Sequence, residues 1–198
     1  DLYHRIGYRI AIESVTIADL YNKSINLSKT EFRTLLDEAI KSDLKNVTLE
    51  SLQYGDKRVK KVLLLYNILT MLNNENDNAY FPFDIYKNEK WDIEHITSIT
   101  DTIPKQKNSW LNDAKVFIDV SKEDGKKLKN RADTCDCEDD VEFEVLFKDI
   151  VKHFNSYLED EDINDISNLA LLDSETNRGY KNAVFPLKRK TIIDREKK

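Results

Sequence analysis

A carboxylate, an imidazole and two side-chain amides occur along this chain in an order that suits phosphodiester chemistry. Glu94 and His95 are adjacent in the run Trp91-Asp92-Ile93-Glu94-His95-Ile96, and Asn168 and Asn177 lie on either side of the apolar run Leu169 to Leu172. A hard divalent cation such as Mg²⁺ or Mn²⁺ keeps most of its waters and takes one or two protein oxygens, the rest coming from substrate phosphate. Glu94 and Asn177 are the candidate metal ligands, with Asp92 as the alternative carboxylate on the same strand face. A neutral imidazole, with an ordinary pKa near ~6.5, can take the proton from an attacking water, which makes His95 the candidate general base.

Those residues need elements to hold them. Trp91 to Ile96 alternates apolar and polar side chains, the period-two pattern of a half-buried strand. Leu169 to Leu172 reads as a second strand, closed by Asp173-Ser174, a helix N-cap with Asn177 behind it. Upstream, residues 2 to about 22 show helical spacing, and Ser28-Lys29-Thr30-Glu31 is a capping box that starts a helix over 29–43. From Lys57 to Asn73 the apolar residues Val59, Val62, Leu63, Tyr66, Leu69 and Met71 or Leu72 again predict a helix. Phe81 to Tyr86 reads as a strand or extended linker, because Pro82 favours an edge or bend. Within 97–163 a helix is expected in Asn108 to Val120 and a loop or mobile helix in Lys122 to Arg131. Val141 to Leu158, with Val141, Val145, Phe147, Ile150 and Phe154, is the clearest amphipathic helix.

The order of Glu94-His95, Asn168 before an apolar strand, and Asn177-Arg178-Gly179 resembles the HNH nucleases with a ββα-metal finger. The likeness extends from Ile166 through Tyr180-Lys181-Asn182-Ala183-Val184-Phe185-Pro186-Leu187-Lys188-Arg189. Over these segments the chain is similar to the C-terminal HNH region of GmrSD-type bacterial defence proteins, in which a ParB-like NTPase domain precedes the nuclease. The resemblance implies a DNA endonuclease of a restriction or anti-phage system, with an NTPase or sensor domain upstream. It gives Asn168 a catalytic-site role, fixing the loop that holds His95, and makes Arg178, Lys181 and Lys188 candidate phosphate contacts, to which the basic run Lys188-Arg189-Lys190 adds Arg189 and Lys190 as nucleic-acid contacts. Two departures stand out: Ile96-Thr97-Ser98-Ile99 lacks the proline common after the histidine, and Glu94 stands where many HNH enzymes carry aspartate. The expected fold is mainly α with a small β component: a helical bundle over 1–80, then an HNH domain over 81–198 carrying a long helical insert at 97–163.

Composition agrees with an ordinary globular chain: 198 residues, 40% hydrophobic, 34% charged, formal net charge −6. No apolar run approaches the ~20 residues of a membrane span, and the expected location is cytoplasmic. Cys135 and Cys137, one residue apart, are expected to be free thiols, since a bridge between them would be strained. Charge is uneven. Residues 133–162 hold twelve acids against Lys148 and Lys152, a net of about −10, whereas 177–198 hold eight bases against Asp194 and Glu196. A basic run at that end can hold phosphate. Two rival readings are a catalytically silent module that senses nucleic acid or binds a partner, and a purely helical interaction domain in which Trp91 to Ile96 is only a core strand.

Overall fold

Helix caps mark where the N-terminal elements begin. At Ser28 the hydroxyl accepts from Glu31 N at 3.3 Å and the Glu31 carboxylate accepts from Ser28 N at 2.8 Å, so the expected box is formed. Thr16 and Asp19, at the same spacing, make a second box. The structure, a computed structural model, describes residues 2–73, 79–97, 102–155, 162–173 and 183–196. In chain order it contains α1 (Leu2–Ala11), α2 (Ile17–Ser24), α3 (Lys29–Asp43), α4 (Lys57–Asn73), α5 (Phe83–Asn88), β1 (Trp91–His95), α6 (Lys107–Lys115), α7 (Glu123–Thr134), α8 (Asp140–Asn155), β2 (Leu169–Asp173) and α9 (Phe185–Glu196). The protein is mainly helical, and β1 and β2 form a two-stranded antiparallel sheet. No described helix is long and apolar enough to cross a membrane.

The chain divides into two compact units, Asp1–Ile93 with Ala170–Ser174, and Glu94–Leu169 with Glu175–Lys198. The division runs through β1. In the first unit α1 is the hub, packing on α2, α3, α4 and α5. Its apolar face meets Leu20, Phe32 and Leu36, and its basic side chains reach α3 through Arg5–Asp37 at 2.6 Å and Arg9–Asp43 at 3.3 Å. Gly7 permits the approach of α5, because a side chain there would overlap the ring of Phe83. His4 is buried, and its Nε2 accepts from Phe81 N at 3.1 Å, which ties α1 to the segment before α5.

The second unit is built on a core in which Trp110, Leu111 and Ala114 of α6 pack with Leu128 and Ala132 of α7, Phe143, Phe147 and Ile150 of α8, and Val184 before α9. Gly125 lets α7 lie against the preceding turn, since a Cβ there would overlap the Asp119 carbonyl.

Several expectations need correction. Residues 83–88 are a helix and not a strand or linker. Pro82 sits at its N-cap and Tyr86 N donates to the Pro82 carbonyl at 2.9 Å, a place where the missing proline N–H costs nothing. Of the loop or helix expected over Lys122 to Arg131, the structure shows a helix, Glu123–Thr134, whose Glu123 and Asp124 in the first turn and Arg131 in the last suit the helix dipole. On α4 the buried side is Val59, Leu63, Leu64 and Ile68, while Tyr66 and Leu69 are exposed. Apolar residues lie nearly all round that helix, so periodicity could not choose its buried face. On α8, Val141 and Val145 point outward, away from the Phe143, Leu146, Phe147 and Ile150 face.

Candidate functional site

β1 is anchored at its start by Lys60, whose Nζ donates to the Trp91 carbonyl at 2.8 Å and lies over the Tyr86 ring. At its other end the strand turns sharply, and Asn168 holds the turn. Asn168 is 3% exposed. Its Oδ1 accepts from Thr97 N at 2.9 Å, and its Nδ2 donates to Ile163 O at 2.8 Å and to Thr97 O at 3.4 Å. The Asn168 carbonyl also accepts from Ile96 N at 2.8 Å. A side-chain amide has two donors and one acceptor oxygen, and here both donors and the oxygen are spent on the backbone of this turn, where burial makes such partners necessary.

His95 sits half-buried immediately before that turn. Its Nε2 lies 3.2 Å from Asn164 Oδ1. With the amide oxygen as the acceptor, Nε2 carries the ring hydrogen and Nδ1 is the basic nitrogen. Asn164 is a residue that the sequence does not announce. It falls in an irregular stretch, four residues before Asn168, where neither periodicity nor a motif marks it.

Glu94 and Lys188 complete the cluster. Lys188, in the second turn of α9, is 3% exposed, and its Nζ lies 3.3 Å from Glu94 Oε1 and donates to the His95 carbonyl at 3.0 Å. Burial lowers its pKa, and the Glu94 carboxylate opposes that shift. Lys188, expected on phosphate, is thus turned toward protein. Arg189 and Lys190, the next residues of α9, are exposed. The helix is oriented by buried Val184 and by Leu187, both packed on the unit's core.

Of the other expected site residues, Asp92 belongs to the first unit, where its carboxylate is 3.8 Å from Lys90 Nζ. Asn177, Arg178 and Lys181 lie outside the described residues. The structure therefore brings together Glu94, His95, Asn168 and Lys188, with Asn164 and Thr97. Comparisons of the chain with family models, curated proteins and solved structures gave no match.

Of the metal ligands expected from the sequence, Glu94 alone lies in this cluster, and Asn177 is outside the described residues. Among the described residues no group of three or more His, Cys, Asp or Glu converges, and Glu94 faces an ammonium. What the arrangement can do is present an imidazole from an immobilised turn. Residues 95, 96 and 97 each have a backbone group held by Lys188 or Asn168.

Proposed function

We propose that the protein is an HNH-type endonuclease that hydrolyses phosphodiester bonds of DNA, with His95 as general base. The observation that supports this best is the Asn168 side chain on both backbone groups of Thr97, two residues after the histidine. It gives the histidine a fixed backbone, and preorganisation of a proton acceptor is what such a reaction needs from the protein. In the proposed reaction His95 takes a proton from water, the water oxygen bonds to phosphorus, and the bond from phosphorus to the leaving sugar oxygen breaks, that oxygen keeping the electron pair and taking a proton from solvent. Arg189 and Lys190, exposed on α9, are the proposed phosphate contacts, with Arg178 and Lys181 outside the described residues. Mg²⁺ or Mn²⁺ is the proposed cofactor on the strength of the resemblance. Service in a bacterial defence system, under an NTPase or sensor domain, is proposed on the same basis.

The experiment is plasmid nicking with Mg²⁺ or Mn²⁺. His95→Ala should lose ~10²–10⁴-fold in rate while DNA binding is retained, as expected for loss of a general base. Cleavage by this variant at the wild-type rate would remove His95 from the mechanism. A second reading, a catalytically silent nucleic-acid-binding module, is favoured by the ammonium at Glu94; DNA binding without cleavage in any divalent metal would establish it.

A further inference from the structure

We infer that Lys188 is a positioning residue of the His95 site and the resident cation of the Glu94 carboxylate, so that Glu94 holds the strand end and does not ligate a divalent metal. What the positioned histidine does rests on the nuclease reading above; the pairing does not. An ammonium as buried as Lys188, 3% exposed, is tolerated only where acceptors replace its water. Two that do so here belong to consecutive residues of one strand end, Glu94 Oε1 at 3.3 Å and His95 O at 3.0 Å. The grip on the His95 carbonyl fixes the peptide from which the imidazole springs, just before the two residues that Asn168 holds. Neither neighbour on α9 substitutes for it, because Arg189 and Lys190 face solvent.

The same pairing decides what Glu94 can bind. A divalent ion on that carboxylate would sit a few ångströms from the ammonium, and unlike the exposed pairs of this chain, this one is poorly screened by water. Lys188 and a metal are therefore competing partners of Glu94, and the folded chain already supplies the first.

The test uses the full chain and four variants: Lys188→Met, Lys188→Arg, Glu94→Gln, and the double variant Glu94→Gln with Lys188→Met. In thermal unfolding each single change to Gln or Met should lower Tm, and the double should lose no more than the larger single loss, because either change already breaks the pair. Additive losses overturn the inference. In calorimetry with Mn²⁺ alone, Glu94→Gln should bind the ion within about twofold of wild type, and Lys188→Met should bind it no more weakly than wild type. A tenfold or greater loss in Glu94→Gln makes Glu94 a metal ligand and overturns it. In plasmid nicking, Lys188→Met should lose about tenfold or more in kcat with KM for DNA unchanged, as for a misplaced reacting group, and Lys188→Arg should recover part of that loss. A rise in KM with kcat unchanged would make Lys188 a phosphate contact instead. A wild-type protein that nicks nothing defeats the nuclease reading, and the unfolding cycle and Mn²⁺ titration then decide the pairing.

Discussion

Asn168 carries more of this site than its size implies. Removing its side chain takes from the Thr97 N–H and the Ile163 carbonyl the partners that hold the turn. A buried group left unsatisfied costs ~1–3 kcal/mol, so Asn168→Ala should destabilise the protein by about 2–4 kcal/mol in denaturant unfolding. Asn168→Asp should do little better, since a carboxylate keeps the acceptor for Thr97 N but loses both donors. If either variant unfolds within about 0.5 kcal/mol of wild type, the turn does not depend on this amide. At this scale the sequence singled out Glu94, His95 and Asn168, which the structure brings together, but it read Glu94 as a metal ligand and the structure pairs it with Lys188. It was misleading at Lys188, because a lysine in a basic run reads as a surface group, and only the packing of Val184 and Leu187 turns it inward. Asn164 was invisible because its only signal is spatial.

Elements were read well wherever a local cap or a one-sided apolar pattern existed, as in α3 and most of α8, and poorly where neither did, as in α5 and the buried side of α4. One joint between elements is pH-sensitive. Since Phe81 N–H donates to His4 Nε2, the ring hydrogen is on Nδ1, which is buried and has no hydrogen-bond partner among the described residues. Burial, with the positive charge of Arg5 adding to it, lowers the His4 pKa below its ordinary 6.5. Below about pH 6.5 the unfolded chain therefore takes up a proton that the folded one resists. Stability from this joint is full above that pH and declines as the pH falls toward the folded-state pKa. Unfolding free energy followed between pH 7.5 and about pH 5 should fall in wild type and fall less in His4→Gln. The lowered carboxylates at Asp56, held to about 2 by hydrogen bonds from Arg58, and at Asp19 and Glu31 titrate at lower pH and leave this window clear. Identical slopes in the two proteins would show that His4 does not report the joint.

For the whole molecule, charge is the property most open to test. A protein of net charge −6 can approach DNA only by presenting its bases selectively. Part of the acidic stretch is already committed within the second unit: Asp133 pairs with Lys115 at 3.3 Å, Asp140 pairs with Lys107, and Asp139 caps α8 through Val141 N and Glu142 N. Arg189 and Lys190 should then dominate the salt dependence contributed by α9. Replacing both by alanine should reduce the slope of log affinity against log salt concentration by about 1.8, because each duplex phosphate that the protein ceases to neutralise lowers that slope by ~0.9. A slope unchanged by the double replacement would place the DNA elsewhere on the protein. The division of the chain through β1 was not legible in advance, because it depends on which residues lie near one another in space and no composition change marks it.

The Asn168 clamp has a consequence for how this chain can drift. All three groups it binds are backbone atoms, and the residues that own them, Thr97 and Ile163, contribute no side chain to those bonds. In a saturation library selected for folding, position 168 should accept almost nothing, while position 163 should vary widely. No pair of positions would change in concert. The most constrained interaction of the site would leave no covariation trace.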